Sequence, residues 1–136
     1  MTLSKYASGP VLVTGATGFL GSRLVRMLCE EGFDVVAGCL PGESKRLIEG
    51  LPCRTVSIDV TNPAMVGPAM DGVESVFHVA GLVSFDPRLY RKQWRVNVEG
   101  TKNVIEAAKR KGISRLVYTS TVNTLGVPPP GTIGDE

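Results

Sequence analysis

The chain has 136 residues, 43% of them hydrophobic, which suits one domain with its own core and is too short for two full ones. Fifteen basic and thirteen acidic residues, spread along the chain, leave a formal charge of +2 and no electrostatic case for a nucleic-acid partner. Residues 1–10 hold no apolar run of signal-peptide length, and no segment approaches the roughly 18 apolar residues of a membrane span, so a cytoplasmic protein with no membrane partner is expected.

Val11-Leu12-Val13 reads as a short buried strand running into Thr14-Gly15-Ala16-Thr17-Gly18-Phe19-Leu20-Gly21. Glycines at intervals of three let the backbone turn sharply off a strand end, admit a pyrophosphate close to the main chain and bring a helix against the sheet. The first-turn amides of that helix then face the phosphates. A tight turn with no ligand would use the same glycines. The apolar β-branched residues before them, and Leu20, Leu24, Met27 and Leu28 at helical spacing after them, favour a dinucleotide site. No lysine and hydroxyl pair follows the glycines, which removes a P-loop nucleotide hydrolase. A helix is predicted over 19–31, with Arg23, Arg26 and Glu30 facing water and Gly32 as a left-handed cap. Cys29, Cys39 and Cys53 are odd in number and lack redox or metal-ligand spacing, so reduced thiols and no metal are expected.

A second strand over 34–39 should end where a dinucleotide fold inspects the adenosine ribose. A carboxylate there favours NAD, because it accepts from the ribose hydroxyls and repels a 2'-phosphate. Gly38, Cys39 and Leu40 supply none. Lys45 and Arg46, beside the turn Pro41-Gly42-Glu43-Ser44, could reach a 2'-phosphate, although basic residues in a surface loop are often merely solvated. NADP is accordingly favoured over NAD.

A short helix is predicted over 43–49, and a third strand over 54–58. In Asp59-Val60 the carboxylate can accept from an adenine amino group while the valine covers the ring, or Asp59 can simply begin the next turn. Thr61-Asn62-Pro63 starts a helix that Asp71-Gly72 closes, and 73–79 forms a fourth strand. His78-Val79-Ala80-Gly81 falls at its C-terminal end, where small residues let a cofactor pass close to the backbone. His78 is the only histidine; with no acidic or nucleophilic neighbour in sequence it reads as packed and hydrogen-bonded, and not as a base.

After a loop over 82–86, a helical stretch is predicted from 87 to 111, capped by Gly112, with Lys109, Arg110 and Lys111 as a solvated end. Asn97, Thr101, Val104 and Ala108 recur at helical spacing and align two polar side chains above an apolar stripe. Asn97 on a sheet-facing side needs a partner. A fifth strand over 115–120 ends in Thr119, Ser120 and Thr121, whose hydroxyls can bond a substrate carbonyl oxygen or serve the backbone alone. Residues 126–136, with three successive prolines, read as a loop.

Thr14 to Gly21, Asp59-Val60, His78-Val79-Ala80-Gly81, Asn97-Val98-Glu99-Gly100-Thr101 and Tyr118-Thr119-Ser120-Thr121-Val122 occur together in one order and spacing. In this the chain resembles the extended short-chain dehydrogenase/reductase group, the NAD-dependent epimerase/dehydratase family. Within it the chain looks most like dihydroflavonol-reductase-like enzymes, hydroxysteroid dehydrogenases and hopanoid-associated sugar epimerases. The resemblance implies an α/β, three-layer Rossmann fold: a doubly wound parallel sheet ordered 3-2-1-4-5, filling residues 1–136 and truncated before the last strands and the substrate domain.

It also implies roles. Gly15, Gly18 and Gly21, with Thr17, Phe19 and Leu20, would cradle the pyrophosphate; Asp59 and Val60 would hold adenine; Ala80 and Gly81, with Thr119, would line the nicotinamide half. Thr121, five positions before Gly126, would position the substrate oxygen, and Asn97 would support the hydrogen-bond relay. The family's Tyr-x-x-x-Lys pair has no match here, because Pro10, Trp94 and Val122 occupy the fourth position after the three tyrosines. The expectation is therefore the cofactor half of an oxidoreductase or epimerase acting on a small molecule, inactive alone, with a homodimer left open for the full-length protein. The rival reading is a non-catalytic dinucleotide sensor or interaction protein that keeps the fold and discards the catalytic pair.

Overall fold

The computed structural model describes residues 9–134, so the ends of the expected 1–136 unit and the last two residues of the predicted C-terminal loop lie outside the described residues. Five strands, β1 (Val11–Thr14), β2 (Val35–Cys39), β3 (Cys53–Ser57), β4 (Ser75–His78) and β5 (Arg115–Tyr118), form one sheet in the order β3-β2-β1-β4-β5. Every neighbouring pair is parallel, with Thr14 opposite both Gly38 and His78 in register. Parallel pairing requires a crossover between strands. These are supplied by α1 (Phe19–Glu30), α2 (Pro63–Ala69) and a longer helical run ending in α4 (Thr101–Lys111). The strand order is the one expected from the sequence.

The central strands are buried on both faces, so their sequences are near-continuous apolar runs and not alternations. Leu12 and Val36 join Val66, Met70, Val104 and Ala107 in the core beneath α2 and α4. Their chain neighbours Val11, Val13, Val35 and Ala37 join Val25 and Leu28 beneath α1. The two-residue period of the strands thus divides one hydrophobic run between two cores. Met70 and Val104 are fully buried. Truncating Val104 to Ala should cost about 1–2 kcal/mol through lost burial and the void left behind.

The helix ends follow the capping chemistry read from the sequence. The Asn62 side chain accepts from the Ala64 amide with Pro63 in the first turn, and Gly112 adopts the left-handed conformation after Lys111. Two predictions need correction. Residues 43–49 do not form an α-helix: only the 3₁₀ turn Arg46–Ile48 is present, because Ile48 alone is buried there and the chain turns away at Gly50. The helical stretch after residue 87 is not uniform. It opens with the 3₁₀ turn Pro87–Leu89, continues as α3 (Tyr90–Trp94), widens into the π turn Arg95–Gly100 and resumes as α4.

The π turn coincides with a close contact to a segment distant in sequence. Gly100 lies so close to the loop after β3 that a Cβ there would stand 2.7 Å from Val60 Cγ2. The wider winding shifts the helix phase, so that Thr101, Val104, Ala107 and Ala108 face the sheet while Asn97 turns to the loop after β4. All three cysteines are free, and burial pushes each thiol pKa up.

Candidate cofactor site

The chain runs from β1 outward to β3, then returns to the other side of β1 to begin β4, so the loops after β1 and β4 diverge and leave a crevice at the strand ends. A cavity of about 560 Å³ occupies it. Gly15 has φ +66°, and a Cβ on it would fall 2.8 Å from the Ala80 Cα. The turn after β1 therefore touches the end of β4 by backbone alone. At Gly21 a Cβ would stand 2.0 Å from the Gly15 carbonyl oxygen, so α1 starts directly against the turn it leaves.

Gly18, the N-cap of α1, offers no side-chain cap, and the first turn carries no acidic residue. The amides at the start of a helix lack intrahelical acceptors and form its positive end, and Gly18, Phe19, Leu20 and Gly21 line the cavity there. The structure brings Gly15, Thr17, Gly18, Phe19, Leu20, Gly21, Asp59, Val60, Ala80 and Gly81 to this one cavity. An elongated anionic group fits this end, because the glycines leave the backbone uncovered and no side chain satisfies the helix terminus.

Asp59 begins the next turn and also borders the cavity. Its Oδ1 accepts from the Thr61 amide at 2.9 Å and the Thr61 hydroxyl at 2.7 Å, which holds the start of that turn. Val60 beside it is buried, and its carbonyl accepts from Asn103 Nδ2 at 2.9 Å.

Lys45 and Arg46, expected at a 2'-phosphate, lie outside this cavity. Lys45 Nζ donates to Thr55 Oγ1 on β3 at 3.2 Å, and both residues border a separate hollow with Cys53 and Ile48. The loop leaves β2 at the cavity and has carried its chain past the rim before Lys45, so proximity in sequence did not become proximity in space. From the same loop Leu40 and Glu43 line the cavity, and the Glu43 carboxylate accepts from the Thr17 hydroxyl.

His78 is packed and hydrogen-bonded, as its sequence context suggests. Thr14 Oγ1 accepts from the amides of Val79 and Ala80, each at 3.1 Å, so its single proton goes to His78 Nδ1 at 2.8 Å. Nε2 must then carry the imidazole proton, which it donates to Thr101 Oγ1 at 3.0 Å, and Thr101 donates to the Asn97 carbonyl at 2.7 Å in the π turn. Burial lowers the His78 pKa to about 4, and its ring stacks on Tyr118 of β5 with centroids 5.4 Å apart. The imidazole is neutral at pH 7 and links β1, β4 and the π turn.

Asn97 finds its partner in the loop after β4. Its amide donates to the Leu82 carbonyl and accepts from the Leu82 N–H, both at 2.8 Å. Four residues earlier, Gln93 makes the same paired contact with Ser84, donating at 2.9 Å and accepting at 3.3 Å. One helix face thus holds alternate residues of an extended loop, which leaves Val83 and Phe85 exposed. Asn97 stands behind the cavity wall, its Oδ1 3.5 Å from where a Cβ on Gly81 would be.

Thr119 and Thr121 do not border the cavity among the described residues. Both are exposed; Thr119 donates its amide to the His78 carbonyl at 3.1 Å, and Thr121 Oγ1 accepts from the Asn123 amide at 3.3 Å as the cap of the turn Val122–Leu125. Sequence reasoning assigned no site role to Thr14, Thr101, Gln93 or Glu43. Gln93 had a usable sign, an amide one helical turn before Asn97. The others reveal themselves only through partners 26 to 64 residues away, or 23 for Thr101.

Known proteins resemble the chain in sequence and fold. The chain is 36% identical over 124 residues to a 3-beta-hydroxysteroid dehydrogenase of Mycolicibacterium neoaurum, covering 83% of this chain and 32% of that protein. It is 39% identical to cinnamoyl-CoA reductase 1 of Oryza sativa subsp. japonica, covering 93% and 39%. The UDP-glucose 4-epimerase of Thermus thermophilus, solved in complex with NAD, superposes with a TM-score of 0.78 at 27% identity, covering 93% of this chain and 42% of that one. The chain thus spans about a third of the length of the curated relatives it matches. Residues 12–132 match a single family from the first strand through the cavity-lining loops to the turn after β5, and the chain belongs to the 3-beta hydroxysteroid dehydrogenase/isomerase family.

Proposed function

We propose that this chain is the nicotinamide-dinucleotide-binding part of an oxidoreductase or epimerase that acts on a hydroxyl- or carbonyl-bearing carbon of a small molecule. The observation that carries the reading is the joining, in one cavity, of the uncapped start of α1, the Asp59-Val60 pair and the Ala80-Gly81 strand end. Pyrophosphate would sit on the amides of Phe19 to Gly21, adenine beside Asp59 and Val60, and the nicotinamide half along Ala80 and Gly81. The bound dinucleotide supplies hydride transfer. The protein's part is to place it, and Asn97 does so indirectly by fixing the loop that forms one wall. In the full-length protein Thr121 would orient the substrate oxygen once the turn Val122–Leu125 is repositioned. Family membership, and a structural relative solved with NAD, support the cofactor class. A cytoplasmic location and a homodimer of the full-length protein belong to the same proposal. Among the described residues no helix is long and apolar enough to cross a membrane.

Gly18 provides the test. Its φ of −75° and ψ of 174° suit any residue, and a Cβ there would meet only the Gly15 oxygen, at 3.3 Å. Gly18→Leu should fold and fill the cradle. Calorimetric titration of the chain with NADH, NADPH and ADP-ribose should show binding that this variant loses by about a hundredfold, the scale of one or two lost phosphate contacts. No binding by the unchanged chain, or unaltered binding by the variant, would sink the proposal.

A further inference from the structure

We propose that Cys53 is a modification site for small anionic disulfides of the glutathione type, and that Cys29 resolves the adduct into an internal Cys29–Cys53 disulfide. Folding supplies a proximity that the spacing of these residues in the sequence conceals. Cys29 lies in the last turn of α1, and Cys53 is the first residue of the edge strand β3. Both are half-buried and pack on the core beneath α1. The Cys29 Sγ lies 3.8 Å from the carbonyl oxygen of Pro52, the residue before Cys53, and its thiol makes a side-chain hydrogen bond with Cys53. Cys39, by contrast, is only 1% exposed, and its thiol turns to the Ala37 carbonyl of its own strand.

The two thiols differ in access. Cys53 borders a hollow of about 500 Å³ that Lys45 and Arg46 also border, with Glu49 as its one carboxylate; Cys29 does not border it. An anionic disulfide drawn to this hollow therefore meets Cys53 first. The Cys29 S–H group favours the Cys53 thiolate, partly offsetting the burial that pushes that thiol up, while Glu30 disfavours a thiolate at Cys29. In the first step the Cys53 thiolate attacks one sulfur of R–S–S–R. That S–S bond breaks, a Cys53–S–S–R bond forms, and the departing thiolate takes up the proton that Cys53 released. The Cys29 thiolate then attacks the Cys53 sulfur and expels the second R–S group, which takes the Cys29 proton. Two cysteines are oxidised, and one external disulfide is reduced to two thiols. The new bond ties the end of α1 to the start of β3, at the ends of both elements that face away from the cofactor cavity.

The experiment is incubation of the reduced full chain with oxidised glutathione, followed by intact mass measurement and peptide mapping. The unchanged chain should end as the Cys29–Cys53 disulfide, two hydrogens lighter, with Cys39 unmodified until urea is added. Cys29→Ser should stop at a glutathione adduct on Cys53, whereas Cys53→Ser should form an adduct at Cys29 about tenfold more slowly or less. With Lys45→Gln and Arg46→Gln combined, reaction with oxidised glutathione should slow about threefold or more, while the uncharged bis(2-hydroxyethyl) disulfide should keep its rate. The crosslinked chain should melt about 5–10 °C above the reduced one, because the bond constrains the unfolded chain. Failure to crosslink, a first adduct on Cys29, modification of Cys39 in the folded chain, or a lower melting point after crosslinking would overturn the pairing. Equal slowing of the two disulfides by the lysine and arginine changes would overturn recognition by the basic hollow.

Discussion

The Thr14 hydroxyl, at the end of β1, gives its proton to Nδ1 of His78, at the end of β4, across a sequence separation of 64 residues. That bond closes the crevice from behind. It sets the imidazole tautomer, commits both lone pairs of the threonine to the Val79 and Ala80 amides, and so shapes the backbone along which the cofactor would run. Thr14→Val would leave two amides and Nδ1 without partners inside the protein. We expect a loss of about 2–4 kcal/mol in urea denaturation, above the cost of one ordinary hydrogen bond because the orphaned groups are buried.

Stability should depend on pH through His78. Its folded pKa of about 4 lies below the ordinary 6.5, so between those values the unfolded chain binds a proton that the folded chain refuses. The stabilising contribution is complete above pH 6.5 and is lost as pH falls toward 4. The slope is about 1.4 kcal/mol per pH unit at its steepest, for a total of about 3 kcal/mol. Because His78 is the only histidine, a His78→Gln variant should show a flat profile from pH 7 to 5.5. A slope that persists in the variant would place the titration elsewhere.

Gly21 and Gly18 should respond oppositely to a single methyl group. At Gly21 the added carbon would stand 2.0 Å from a backbone oxygen, so Gly21→Ala must push α1 off the turn and should cost about 3 kcal/mol or more. Gly18→Ala meets its neighbour at 3.3 Å and should change stability by less than about 1 kcal/mol. Thermal melts of the two variants would decide this, and similar losses would contradict the packing described.

Asn97 and Gln93 should act as a pair on the loop after β4. Either change to Ala removes two hydrogen bonds to loop backbone, worth about 1–3 kcal/mol together. Hydrogen exchange at the Leu82 and Ser84 amides is the direct readout. Asn97→Ala should release Leu82 strongly, Gln93→Ala should release Ser84, and exchange in β1 should be unchanged in both.

Much of this protein is determined locally and is legible in the chain. The apolar runs of Val11–Thr14 and Val35–Cys39, the glycine spacing, Asn62-Pro63 and Gly112 each act through neighbours a few residues away and set the elements, while the sheet order was legible only through the family resemblance. Position in sequence also located most of the cavity, because strand ends in a parallel sheet share one edge. Tertiary structure decided the rest. It turned Lys45 to Thr55 and put Glu43 on the rim, since a loop's direction depends on what it packs against. It wound a π turn where Gly100 meets Val60, and it gave His78 its two threonine partners. Those outcomes depend on contacts between segments far apart in the chain, which no local propensity encodes.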